Sequence, residues 1–150
     1  MVTGVDTETA QRLRMVVGLL ARRLRPTEAS LAADLTPTRV AVLLNTVRNG
    51  PVRLAEVAEQ EGLNPTLLSR TVAHLAQDGL VERTLDATDR RSAWLDATPA
   101  GRELAQRIRA ERTRAVQVAL AELAPVDRDL VEAALPALEQ LAAHLQRGLR

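Results

Sequence analysis

Residues Leu54–Arg83 read LAEVAEQEGLNPTLLSRTVAHLAQDGLVER. Leu54, Val57 and Ala58 recur at helical spacing and give a short helix an apolar stripe. Glu61-Gly62-Leu63-Asn64 ends it, because glycine supplies the left-handed residue that closes a helix. Asn64-Pro65 opens a second helix: asparagine caps free amides, and the fixed φ of proline suits the first helical position. On that second helix Leu68, Val72 and Leu75 share one face with Thr71 between them, while Thr66, Ser69, Arg70, Ala73, His74 and Gln77 face elsewhere. Two short helices joined by a glycine-containing turn, the second carrying outward Thr, Ser and Arg, predict a helix-turn-helix.

Working outward, Thr36-Pro37, Thr98-Pro99 and the poorer Ala124-Pro125 repeat the same start signal. Gly50, Gly62 and Gly79 stand where helices should stop, which predicts left-handed caps there. Helices are expected over about 7–25, 37–48, 53–61, 65–78, 99–123 and 125–147. Pro136 lies inside the last one and should kink it. Leu80 to Ala97 resists helix: LVERTL, a polar turn, then SAWLDA read as two short strands of a β-hairpin. The fold class is mainly α (α+β).

The 150 residues suffice for one compact domain with a helical arm. Ala, Leu and Val supply nearly all of the 46% hydrophobic content, so the core is aliphatic and helix-favouring. No Cys is present, which excludes disulfides, thiol catalysis and thiolate metal sites. Every basic residue is Arg and none is Lys, a pattern expected from a GC-rich coding sequence. The longest apolar stretch, Met15 to Ala21, is far shorter than the roughly 18–20 residues of a bilayer span, so no membrane partner is expected. Asp6 and Glu8 precede it and Arg22-Arg23 follow it, the reverse of a secretory signal. A cytoplasmic protein is expected.

Leu54–Arg83, followed by Asp86 to Gly101 (DATDRRSAWLDATPAG), resembles the winged helix-turn-helix of the MarR family of bacterial transcriptional regulators. The resemblance is detailed over 36–101, and its most telling residues are Ser69-Arg70, Leu75, Gly79-Leu80-Val81-Glu82-Arg83, the wing's Asp86, Asp89 and Arg91, and Thr98-Pro99-Ala100-Gly101. Thr88 and Ala76 depart from the family's usual charged residues. The resemblance implies a winged helix-turn-helix over 36–98 and a helical dimerisation region formed by 1–35 and 99–150. It further implies a homodimeric, nucleoid-associated regulator, a repressor acting at an inverted-repeat operator and released by a small-molecule effector. Family effectors are often aromatic; with one ring in the chain, an aliphatic effector or none is expected.

Reading duplex DNA requires side chains that reach base edges, and Arg70 can match guanine O6 and N7 with its fork. Thr66 and Ser69 can bond bases or phosphates, and the amides from Asn64 through Pro65 and Thr66 to Leu67 form an expected phosphate site at the helix start. His74 lies further along, suited to the DNA backbone or to no contact at all. In the wing, Arg90 and Arg91 suit a narrow minor groove, one of them held by Asp89 or Asp86. Arg39, Arg48 and Arg53 are weaker phosphate candidates. Residues 36–97 hold 7 Arg against 8 acids, so charge placement rather than net charge must favour DNA. That balance keeps a second reading open, an effector-binding or protein-interaction module with little DNA binding.

Apolar stripes at Leu104 and Ile108, at Leu130, Leu138, Leu141 and Leu145, and at Leu13, Val17 and Leu20 exceed what a winged domain covers and predict a twofold helical interface. Arg107, Arg109, Arg112 and Arg114 read as a solvated face partly paired by Glu103 and Glu111. Trp94 reads as a packing residue of the wing. His74 and His144 lie on separate helices, and no paired carboxylates, nucleophile elbow or phosphate loop appears, so neither an enzyme nor a metal site is expected, and no cofactor.

Overall fold

The computed structural model describes residues 6–86 and 93–148. Ten elements follow one another: α1 (Thr7–Leu24), α2 (Glu28–Ala32), α3 (Pro37–Asn49), β1 (Val52–Arg53), α4 (Leu54–Glu61), α5 (Pro65–Gln77), β2 (Val81–Leu85), β3 (Ala93–Ala97), α6 (Pro99–Ala121) and α7 (Pro125–Gly148). The chain divides into two compact units, Met1–Arg112 and Thr113–Arg150.

In the first unit the caps are those the residue types dictate. Asp6, Thr36 and Asn64 accept amide hydrogens in the first turns of α1, α3 and α5, and Thr98 Oγ1 accepts the Gly101 amide at 3.0 Å. Gly62 and Gly79 adopt φ of 63° and 70°, the left-handed closures that glycine permits without strain. Gly50 differs from expectation: at φ −70° and ψ 148° it is extended. Glycine is needed there for space, since a Cβ would lie 2.6 Å from the Thr46 carbonyl oxygen and 2.7 Å from Asp96 Oδ1.

Three further expectations are corrected. The helix expected from 53 is preceded by a strand, because Val52 and Arg53 pair with Leu95 and Trp94. Thr27-Glu28-Ala29-Ser30 folds into the unexpected α2, closed by reciprocal bonds between Thr27 and Ser30. Leu104 and Ile108, expected in an interface between copies, are buried in this unit's own core.

That core joins α3 (Val40, Val42, Leu43), α5 (Leu68, Val72, Leu75), the sheet (Val52, Val81, Leu95) and α6 (Leu104, Ala105, Ile108). The sheet is antiparallel, in the order β1-β3-β2. Alternation along β3 turns Ala93, Leu95 and Ala97 inward and leaves Trp94 and Asp96 on the outer face. This is a mainly helical winged helix-turn-helix.

In the second unit Arg128 ties the end of α6 to α7, its Nε donating to the Leu120 carbonyl at 3.1 Å and Nη2 to Ala121 and Leu123. α7 runs through Pro136 without ending.

Candidate nucleic-acid interface

A side chain can read a DNA groove only if its helix is held firmly from behind. α5 is held by Leu68, Thr71, Val72 and Leu75, all buried, and Thr71 Oγ1 turns inward to donate to the Leu67 carbonyl at 2.9 Å. α4 is held against α3 by a polar link: Asn45 Nδ2 donates to Gln60 Oε1 at 2.9 Å and to Glu61 Oε1 at 2.7 Å. Asn49 joins it by donating to Asn45 Oδ1 and Gln60 Oε1. This link escaped the sequence reading; an Asn on the apolar face of α3 was its only signal.

Thr66, Leu67, Ser69, Arg70 and His74 all lie exposed on the opposite face of α5. Arg70 and His74 stand one turn apart, and no acidic residue occurs on the helix. At the helix start Asn64 Oδ1 accepts the Leu67 amide at 2.8 Å. Pro65 has no N–H to offer, so the expected amide cluster narrows to Thr66.

Of the other arginines, Arg48 is exposed at the end of α3, and Arg39 donates to the Asp34 carbonyl at 3.4 Å. Arg53 pairs with Asp86 across 3.7 Å and stacks over Trp94. Asp86 therefore meets Arg53 and the Trp94 ring N–H. Asp89, Arg90 and Arg91 lie outside the described residues. Arg102 forms an unanticipated ion pair with Asp96 at 2.7 Å.

The expected pairing of the α6 arginines by Glu103 and Glu111 is corrected. Glu111 accepts the Ala29 amide at 3.1 Å, Arg109 donates to the Leu44 carbonyl and Arg112 to the Arg25 carbonyl. These carboxylate and guanidinium groups hold α2, α3 and the end of α1 to α6. Arg112 borders a cleft of about 340 Å³ with Arg25, Thr38, Glu61 and Leu63. Its Nε is buried without a hydrogen-bond partner among the described residues, and burial together with the nearby Arg25 charge lowers its pKa below the usual arginine range.

Leu13 is half-buried and Val17 and Leu20 are exposed on α1; Leu130, Leu138, Leu141 and Leu145 are exposed on α7. Among the described residues no cluster of three His, Cys, Asp or Glu could hold a metal, and no helix is long and apolar enough to cross a membrane.

Residues 33–92 match the sequence model of the MarR family. The chain is 27% identical over 129 residues to the HTH-type transcriptional regulator Mb0904 of Mycobacterium bovis, covering 86% of this chain and 89% of that protein. The crystal structure of RV1404 from Mycobacterium tuberculosis superposes with a TM-score of 0.79 at 20% identity, over 94% of this chain and 97% of that one. The PcaV transcriptional regulator from Streptomyces coelicolor, crystallised in complex with its natural ligand, is 26% identical with a TM-score of 0.56, over 93% and 99% of the two chains.

Proposed function

We propose that this chain, whose residues 33–92 match the MarR family model and which is 27% identical to an HTH-type transcriptional regulator, is a MarR-family regulator: a homodimeric, sequence-specific repressor working at the nucleoid in the bacterial cytoplasm. The observation that carries the reading is the outward face of α5, where Thr66, Ser69, Arg70 and His74 are exposed while every large apolar residue but Leu67 is buried. Arg70 reads guanine, Leu67 and the Thr66 methyl meet thymine methyl groups, and Ser69 and His74 bond base edges or phosphates. Asn64 and Pro65 set the start of the helix against the backbone. Arg90 and Arg91, beside Asp89, enter the minor groove, and Arg48 with Arg39 approaches phosphates.

Residues 36–98 form the DNA-binding domain in this reading, and the helices of 1–35 and 99–150 form the dimer. Leu13, Val17 and Leu20 of α1 and Leu130, Leu138, Leu141 and Leu145 of α7 supply the apolar contacts between copies. Two recognition helices then enter successive major grooves about 34 Å apart. Selection of genomic fragments by the purified protein at two salt concentrations, followed by footprinting, tests this. Recovery of an inverted repeat of about 16–20 base pairs supports the repressor, since two half-sites one turn apart span that length. Sequence-independent retention, or none, gives the weight to an interaction module, the reading favoured by the net charge of −1 over 36–97.

The effector is a small carboxylic acid in the cleft beside Arg112, where the buried Nε and the neighbouring Arg25 favour an anion. Leu63, in the same cleft, precedes the Asn64 cap of α5, so occupancy reaches the recognition helix. Titration with benzoate and with butyrate tests this. Release of bound operator by either acid, abolished in Arg112→Met, is the expected result; release that persists in Arg112→Met refutes the site.

A further inference from the structure

Arg53 closes β1, and its side chain lies back over the sheet. Its guanidinium carbon is 5.0 Å from the centre of the Trp94 ring, and Nη2 is 3.7 Å from Asp86 Oδ2. The Trp94 ring N–H donates to that same Oδ2 at 3.1 Å. One carboxylate oxygen therefore meets both the cation and the ring edge, while the cation faces the ring's electron-rich surface.

The strand register explains this convergence. Trp94 stands opposite Arg53 on one side and Thr84 on the other, at the centre of three strands on the outer face of the sheet. β1 contributes only Val52 and Arg53 to the backbone ladder, and Arg53 is also the residue from which α4 starts. Such a short strand gives the hairpin little backbone support. The side-chain triangle adds a tie between the turn end of the hairpin ladder and the helix-turn-helix. Asp86 is its inner member, with its side chain 12% exposed against 48% for Arg53.

We infer that Arg53 is a positioning residue for DNA binding: acting through Trp94 and Asp86, it fixes the angle at which the wing leaves the helix-turn-helix, and it does not itself neutralise a phosphate. The inference rests on the DNA-binding reading above. It assigns to Arg53 and Asp86 a joint role opposite to what their charges alone imply. On charge alone, removing Asp86 strengthens DNA binding and removing Arg53 weakens it; through the triangle, both removals weaken it.

The test uses the full chain and the fragment recovered by genomic selection, with affinity measured as a function of salt. Asp86→Asn is expected to bind about tenfold more weakly, the loss of a charge-assisted contact. Tighter binding by Asp86→Asn overturns the inference. Arg53→Ala is expected to weaken binding with an unchanged salt slope, whereas a slope reduced by about 0.9 marks a lost phosphate contact and overturns it. Arg53→Lys retains the charge but not the planar face, so it is expected not to restore affinity; full rescue counts against the inference. Trp94 is the only aromatic ring in the chain, and its emission reports the triangle without DNA. All three variants should shift that emission while far-ultraviolet dichroism stays unchanged, and an unshifted emission overturns the inference. If the unmodified protein retains no fragment, the DNA-binding reading fails and this inference falls with it. If it binds and Asp86→Asn tightens, only the inference fails.

Discussion

Gly101, in the first turn of α6, faces the Leu80 carbonyl so closely that a Cβ would fall onto that oxygen. Two bonds from Thr98 hold the approach: its amide donates to the Leu80 carbonyl at 3.1 Å, and its hydroxyl to the Gly79 carbonyl at 2.6 Å. The end of α5 and the start of α6 are thereby fixed to one another. Gly101→Ala forces them apart. A loss of about 1–3 kcal/mol, the range for overpacking a filled site, is expected in urea unfolding followed at 222 nm. Unchanged stability would mean that α6 shifts freely at its start.

Gly62 and Gly50 are glycines for different reasons, and substitution separates them. At Gly62 the space is open and only the left-handed φ of 63° resists a side chain. Asparagine tolerates that conformation better than alanine, so Gly62→Asn should unfold at a higher temperature than Gly62→Ala. At Gly50 the obstacle is the Thr46 oxygen and Asp96, so asparagine should be no better than alanine. Equal ranking at the two sites would contradict this account.

Asn45 Nδ2 donates to Glu61 Oε1 at 2.7 Å. Asn45→Asp places a second carboxylate against that oxygen, which raises the pKa of the pair above its unfolded value. A raised folded-state pKa gives stability that is present in acid and lost as pH rises through the carboxylate range. The difference in melting temperature between Asn45→Asp and the unmodified chain should therefore be small at low pH and widen toward neutrality. A difference independent of pH would refute the proximity of the two groups.

Arg70 is exposed on a helix whose support comes from the opposite face. Arg70→Ala should leave melting temperature unchanged and lower specific affinity by about 10–100-fold, the worth of one bidentate guanine contact. Gel-shift titration against specific and scrambled fragments checks it. Retained discrimination would remove Arg70 from base reading.

Leu130 and Leu138 are 63% and 39% exposed within one chain. If the proposed dimer forms through α7, Leu138→Glu should yield monomer in light scattering coupled to gel filtration, because a carboxylate in an apolar interface is costly without a partner. A dimer of unchanged affinity would place the contact elsewhere.

Much of the winged helix-turn-helix was legible in the residues because its signals are local. Asn64-Pro65 and Gly79 bracket α5, and the helical spacing of Leu68, Val72 and Leu75 fixes which residues turn outward. What escaped depends on distant partners. β1 exists because Leu95 and Trp94 lie beside it, and no periodicity can be read from two residues. Glu111 looks like a helix-spacing partner for neighbouring arginines, but it accepts the amide of Ala29, 82 positions away. Gly50 carries the same letter as Gly62, yet its role is set by the Thr46 carbonyl and by Asp96 on β3. Sequence reveals the charge of Arg53 but not the Trp94 ring over which it stacks.

α1 runs for 18 residues without burying one of them in its own fold. Most helical stability in proteins comes from packing an apolar face rather than from the helix itself, so the persistence of α1 depends on its being covered. In a dimer whose copies cover it, protomer concentration becomes a determinant of lifetime. Newly made chains at low abundance would expose Arg12, Arg14, Arg22 and Arg23 on a fraying segment open to proteases, and assembly would withdraw that segment from degradation. The regulator would then set a threshold on its own accumulation, below which copies are removed and above which they persist.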